Sequence, residues 1–278
     1  MKAFNLPLRI AGATLALLAL QELWNLPRTP AQLGPLILPN LFLVLALALV
    51  AASSNQQGWK LSGTLFVLYY GINQLNTLDE ALLFKIGLEA SQTLAMMASG
   101  LVTSLVFAPL LVLLLGCWKN KTEEEVKPLL PRSAANWAGR IVLGDLLYVV
   151  CYFIAGMLAF PFVRDFYAAF KLPAPASMLG MEIFRGLVYV AAGLAVTNGM
   201  KGERGKAAIA LGLSFPVLAG VAPLLLPNPY LPGYVRVTHG FEIGISNLIY
   251  GVLLGFLLTR KAAPAPDLPR AGRAESPL

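Results

Sequence analysis

Eight stretches of this chain stay apolar for roughly the 20 residues that a helix needs to cross the hydrocarbon core of a bilayer, and this constrains the fold more than any other feature. They run from about 8 to 26, 33 to 52, 60 to 78, 88 to 116, 137 to 163, 175 to 200, 206 to 226 and 234 to 259. Backbone polar groups in lipid must be satisfied within the spanning element, so segments of this length read as helices. The expected fold class is therefore all-α: a polytopic integral membrane protein, a bundle of about eight transmembrane helices. With 57% hydrophobic and only 13% charged residues, the chain leaves little polar surface for a soluble domain.

The net charge of +7 would suit nucleic acid, but the basic residues lie where membrane topology puts them. With the N-terminus inside, fifteen of the twenty-one Lys and Arg fall on cytoplasmic segments, from Lys2 and Arg9 through Lys119 and Arg140 to Arg260 and Arg273. An even number of spans with both termini cytoplasmic follows, in the cell membrane, with the lipid bilayer as the partner and no nucleic acid. Cytoplasmic Lys and Arg also attract anionic headgroups. Cys117 and Cys151 are too few and too far apart for a disulfide framework or a metal site. The start, MKAFNLPLRIAGATLALLAL, resembles a secretory leader, but no small-x-small cleavage site follows and it reads as the first span.

The longest polar insert separates four spans from four. It defines a membrane half at 1–118, a cytoplasmic linker at 119–136 and a second membrane half at 137–260. The Pro/Ala-rich tail 261–278 has no apolar face to bury and reads as disordered. Two halves of equal orientation are the geometry of a parallel repeat. Two faint echoes, FVLYYG (66–71) against FPVLAG (215–220) and GMEI (180–183) against GFEI (240–243), imply different spacings, so duplication stays open. Pro109, Pro216 and Pro223 interrupt spans and should kink them.

Polar residues concentrate in the outer half of the bundle. On the last span His239, Glu242 and Ser246 follow at three and four residues and share a face, with Arg236 one turn earlier. Gly240, Gly244, Gly251 and Gly255 form a second stripe suited to close helix approach. Phe241, Ile245, Leu248 and Val252 are the expected lipid contacts. The third span ends in YYGINQLNTLDEALLFK, where helical spacing aligns Tyr69, Asn73, Asn76 and Glu80, with Asp79 beside them. Glu89 and Gln92 open the fourth span, Gln21 and Glu22 close the first, and Glu182, Arg185 and Tyr189 line the sixth. Charges at membrane depth are costly and should face one another or a wet cavity. The expected substrate or ion site is accordingly Asn73, Asn76, Glu80, Glu89, Glu182, Arg185, Arg236, His239 and Glu242, with Glu182 and Arg185 opposite the last three.

The chemistry is less constrained. One histidine in the chain argues against the repeated Glu/His motif of a di-iron bundle and against zinc, so no metal and no cofactor are expected. The glutamate class of intramembrane protease wants paired glutamates followed by arginine, with histidines on separate helices; DEALLFK (79–85) carries Lys instead. No Gly-x-Ser-x-Gly elbow, phosphate loop or dinucleotide fingerprint occurs. Three classes stay open: a transporter of a cation, proton or small solute, a non-catalytic membrane scaffold, and an intramembrane enzyme using Glu, His and Arg. A transporter implies a path, an enzyme an oriented acid and base, and a scaffold acids that are all paired and dry.

Overall fold

A computed structural model describes residues 5–24, 29–84, 89–118, 133–170, 172–200, 203–226, 228 and 231–259. Its regular elements are all helical, and they form eight rods in the order of the expected spans. They are α1 (Leu6–Glu22), α2 (Pro30–Ser53), α3 (Gly58–Phe66, Val67–Leu75 and Asn76–Phe84 end to end), α4 (Ala90–Leu114), α5 (Ala134–Tyr167), α6 (Pro175–Asn198), α7 (Arg204–Pro216, Val217–Val221 and Ala222–Leu225) and α8 (Gly233–Thr259). Six of them, α2 and α4 to α8, are long and apolar enough to cross a membrane. The remaining two have identifiable reasons for falling outside that class. α1 has 17 residues, or roughly 25 Å at 1.5 Å per residue. α3 is built from three nine-residue pieces, the middle one π-helical.

The hydrophobic pattern places a core of Leu, Val and Phe between the rods while large apolar side chains on the outside remain uncovered. Leu17, Leu47, Leu65, Leu68, Phe107, Leu111, Phe215 and Leu254 are buried, whereas Leu146, Met157, Leu158, Phe162 and Phe241 face outward. A soluble protein would not leave so much apolar surface bare. Of the expected lipid contacts, Phe241, Ile245 and Leu248 are exposed. Val252 is not among them, because a Cβ placed on Gly212 of α7 would meet its side chain at 2.6 Å.

The packing of the first four rods recurs in the last four. α1 packs on α2 and α4, α2 on α3 and α7, and α3 on α4 and α6; α5 packs on α6 and α8, α6 on α7 and α3, and α7 on α8. Advancing each label by four converts one set into the other, and the contact between α3 and α7 maps onto itself. The contact of α6 with α8 has no such counterpart of comparable extent.

α3 and α7 also share a rare winding. Each widens into a π-helix, at Val67–Leu75 and Val217–Val221, and the two widened segments touch. In α7 the cause is local: Pro216 has no N–H to give, and the ladder resumes with a wider turn. These are the positions of FVLYYG and FPVLAG, so that echo corresponds to a shared backbone feature.

The ends of the rods define two levels. At one, the Asn55 N–H donates to Gly199 O and the Gly58 N–H to Cys117 O, so the α2–α3 connection, the end of α4 and the end of α6 lie together. α4 terminates there through Gly116, whose φ of +73° suits glycine, while the Cys117 N–H reaches back to Val112 O. At the other level stand Glu89 at the start of α4 and the turn after α5. Of the expected linker, only Ser133–Asn136 lies within the described residues: Ser133 Oγ accepts the Asn136 N–H and starts α5 at Ala134. Residues 119–132 and the tail 261–278 lie outside them.

Candidate functional site

The expected polar centre resolves into two groups that meet α5 at different heights. The first is built around Glu182, whose side chain is fully buried. Arg185, one turn further on α6, donates to Glu182 Oε1 at 3.1 Å, and the Tyr148 hydroxyl of α5 donates to Oε2 at 3.2 Å. Arg185 also donates to the backbone carbonyl of Asn76 at 2.6 Å and stands 3.5 Å from the carboxylate of Asp79, both on α3. One guanidinium thus ties α3 to α6 and answers two carboxylates. Taking charges out of water is costly, and short geometry of this kind is what makes their burial tolerable.

Asp79 belongs to this group. The π-helical stretch widens each turn, so α-helical spacing drawn from Tyr69 does not hold beyond it. Asn73 faces α7, where its amide donates to Leu218 O of the second π-helix at 2.8 Å, while Asn76 and Asp79 face α6. The side chain of Glu80, like Lys85, lies outside the described residues. Glu89 joins neither group; it is exposed at the start of α4, and its N–H donates to Gln92 Oε1 at 3.0 Å.

The second group is a carboxylate, an imidazole and a phenol in series. Glu242 Oε2 lies 2.6 Å from His239 Nδ1, and His239 Nε2 lies 2.9 Å from the Tyr167 hydroxyl at the end of α5. His239 and Glu242 are mostly buried, with 18% and 11% of their side chains exposed. Glu242 faces Gly156, where a Cβ would lie 3.6 Å from Oε1, an ordinary contact distance, so the carboxylate lies against the surface of α5. Tyr167 in turn lines a hollow of about 390 Å³ with Phe160, Arg164, Asp165, Phe170 and Leu172. Arg236 takes no part: it turns to α7 and donates to Leu224 O at 2.9 Å, where a cation meets free carbonyls near a helix end.

Between the groups, α5 carries a polar face. Asp145, Tyr148, Tyr152 and Gly156 follow at three, four and four residues, and the rings of Tyr148 and Tyr152 stack at 6.5 Å. Tyr148 and Gly156 mark the heights of the two groups, roughly 12 Å apart along the helix. Asp145 sits against Gly186 of α6, one turn closer to the start of α5.

A third network is neutral. Gln21 donates to the Tyr69 hydroxyl at 3.2 Å and accepts from Asn40 at 2.9 Å, and Gln74 donates to Asn73 at 2.7 Å. Asn40 lies ten residues inside α2, so the end of α1 stands roughly 15 Å along that helix from its start.

Tyr148 and Tyr167 were not singled out from the sequence as site residues. Each is a tyrosine on a mostly apolar helix whose partner lies on another helix, and the one sequence signal that could have found Tyr148 is its three-residue spacing from Asp145. Comparison with known protein families, with curated proteins and with solved structures finds no match.

Proposed function

We propose that this chain is a proton-translocating or proton-coupled membrane transporter, with eight crossings, both termini cytoplasmic and two structurally repeated halves. The reading rests on one observation: ionisable and hydroxyl side chains succeed one another along a single face of α5. Asp145, Tyr148 and Tyr152 lie on it in turn, Tyr148 bonding to the Glu182–Arg185–Asp79 group and stacking on Tyr152, and further along stand Glu242, His239 and Tyr167. Intramembrane acids and histidines that contact one another are the materials of proton relays, and imidazole is the side chain that changes charge nearest neutral pH. The hollow beside Tyr167 supplies an outer mouth.

The test is a flux measurement. Reconstituted vesicles holding a trapped pH-sensitive dye are given an outward potassium gradient and valinomycin. The expected response is acidification that Glu182→Gln and Glu242→Gln each abolish while the variants remain folded. A rate equal to that of protein-free vesicles defeats the proposal for proton conduction.

A scaffold is the second reading, and the full burial of Glu182 favours it. There the charges are a clasp between α3, α5 and α6. In that case the wild type conducts no protons, and Glu182→Gln changes stability alone.

A further inference from the structure

We propose that the second half of the bundle holds bound waters around the ring cluster of Tyr148, Tyr189, Phe215 and Tyr250. The inference rests on the relay reading for its consequence and on separate observations for its existence. The four rings pack directly, with centroids 4.7 Å apart for Tyr148 and Tyr189, 5.3 Å for Tyr148 and Tyr250, and 4.9 Å for Tyr189 and Phe215. Around them lie buried polar atoms with no hydrogen-bond partner among the described residues: both amide atoms of Asn76, Ser214 Oγ, Asn247 Oδ1, the Tyr250 hydroxyl and Asp145 Oδ1. Asn76 is 2% exposed, Ser214 0% and Tyr250 1%.

Each of these residues adjoins a ring of the cluster, in space or along the chain. Asn76 lies beside Tyr189, Asp145 is within electrostatic reach of the Tyr250 hydroxyl, Ser214 precedes Phe215 in the chain, and Asn247 is nearly one turn before Tyr250. The neutral ladder of Gln21, Asn40 and Tyr69 has its hydrogen bonds made between side chains. A native fold rarely leaves buried polar atoms unserved, and the recurrence of such atoms beside these rings calls for a partner that the described residues do not supply.

The kinds of atom select the ligand. Asn76 presents a donor and an acceptor together, Ser214 and Tyr250 present hydroxyls, and Asp145 and Asn247 present acceptors. A cation serves only the acceptors and an anion only the donors. Water serves both, and with two to four polar neighbours it is held in a space that admits no larger solute. Waters at Asn76 and at Tyr250 would give Asp145 a hydrogen-bonded connection past the rings to Glu182. Each water takes a proton from one neighbour as it gives one to the next, so no charge accumulates on it.

Radiolytic footprinting of the full chain in lipid nanodiscs, with H₂¹⁸O as the solvent, tests this. Radicals born from a bound water oxidise the ring beside it. Tyr189 and Tyr250 are expected to take up label within roughly tenfold of the exposed Tyr234, while Tyr69, equally buried but bonded to Gln21, lags by a further factor of about ten. Asn76→Leu should slow labelling of Tyr189 and leave Tyr250 labelled, with Tyr69 reporting that the fold persists. Labelling of Tyr189 and Tyr250 as low as that of Tyr69 overturns the inference. Proton flux measured on the same preparation separates the two proposals: labelling without flux keeps the waters and removes the relay, whereas flux without labelling removes the waters.

Discussion

At the scale of single residues, Arg185 holds the greatest number of obligations. It faces Glu182, Asp79 and the Asn76 carbonyl, so replacing it leaves two carboxylates in an apolar interior. Arg185→Met is expected to cost about 3 to 5 kcal/mol, the usual penalty for breaking a buried pair by removing one partner. Glu182→Gln keeps the shape and its contacts with Arg185 and Tyr148 while removing one charge, so its cost should be about half that or less. Thermal unfolding in detergent checks the order, and equal losses would remove Arg185 from the centre of the group. Glu242→Gln gives up a charge-assisted bond to His239, worth about 1.5 to 3 kcal/mol, and should leave the chain folded. Much of this was legible in the sequence. Glu182 with Arg185, and His239 with Glu242, are spaced at three residues on helices, and spacing alone brings them together. Their partners Tyr148, Tyr167 and Asp79 were not, because a contact between helices depends on the rotation and height of both rods, which no local pattern encodes.

At the scale of elements, two local departures from ideal helix decide which faces meet. Beyond the π-helical stretch of α3, Asp79 faces α6, and apolar periodicity gave no warning of that change of phase. The glycine stripe of α8 is the second case. Its four members looked alike in sequence, yet only two are tight: a Cβ on Gly251 would lie 2.6 Å from Leu211 O, and one on Gly255 would lie 2.6 Å from the Cα of Ala208. Gly244 has nothing within 4 Å, and Gly240 has only Leu224 at 3.9 Å. The stripe is therefore a contact with α7 in its C-terminal half and open in its N-terminal half. Backbone cannot yield as a flexible side chain does, so Gly251→Ala is expected to destabilise by about 1 to 3 kcal/mol. Gly244→Ala should be neutral, or stabilising by up to about 1 kcal/mol, since alanine is the better helix former. Melting temperatures of the two variants compared in one detergent decide this, and equal shifts would sink the distinction.

At the scale of the whole molecule, the number of crossings turns on α3, which composition alone does not class as a span. Its neighbours supply the argument. Gly58 at its start bonds to Cys117 just past α4, while Gln74 packs against Gly100, seventeen residues back. α3 therefore runs antiparallel beside α4 from one level of the bundle toward the other, which is the course expected of a rod that crosses with it. If it does, Ser54 and Glu89 lie on opposite sides of the membrane. If α3 merely rests at a surface, they lie on the same side. The positive-inside rule assigns Ser54 to the cytoplasm, close to Lys60 and to the end of α4 that leads into Lys119 and Lys121. Single cysteines at Ser54 and at Glu89, in a background of Cys117→Ser and Cys151→Ala, can be offered a membrane-impermeant maleimide in intact cells. Glu89→Cys is expected to react and Ser54→Cys to react only after the cells are opened. Reaction of both in intact cells, or of neither, would place both ends of α3 on one side and reduce the crossings to fewer than eight, and the repeated packing of four rods and four would then lose its meaning as two equally oriented halves.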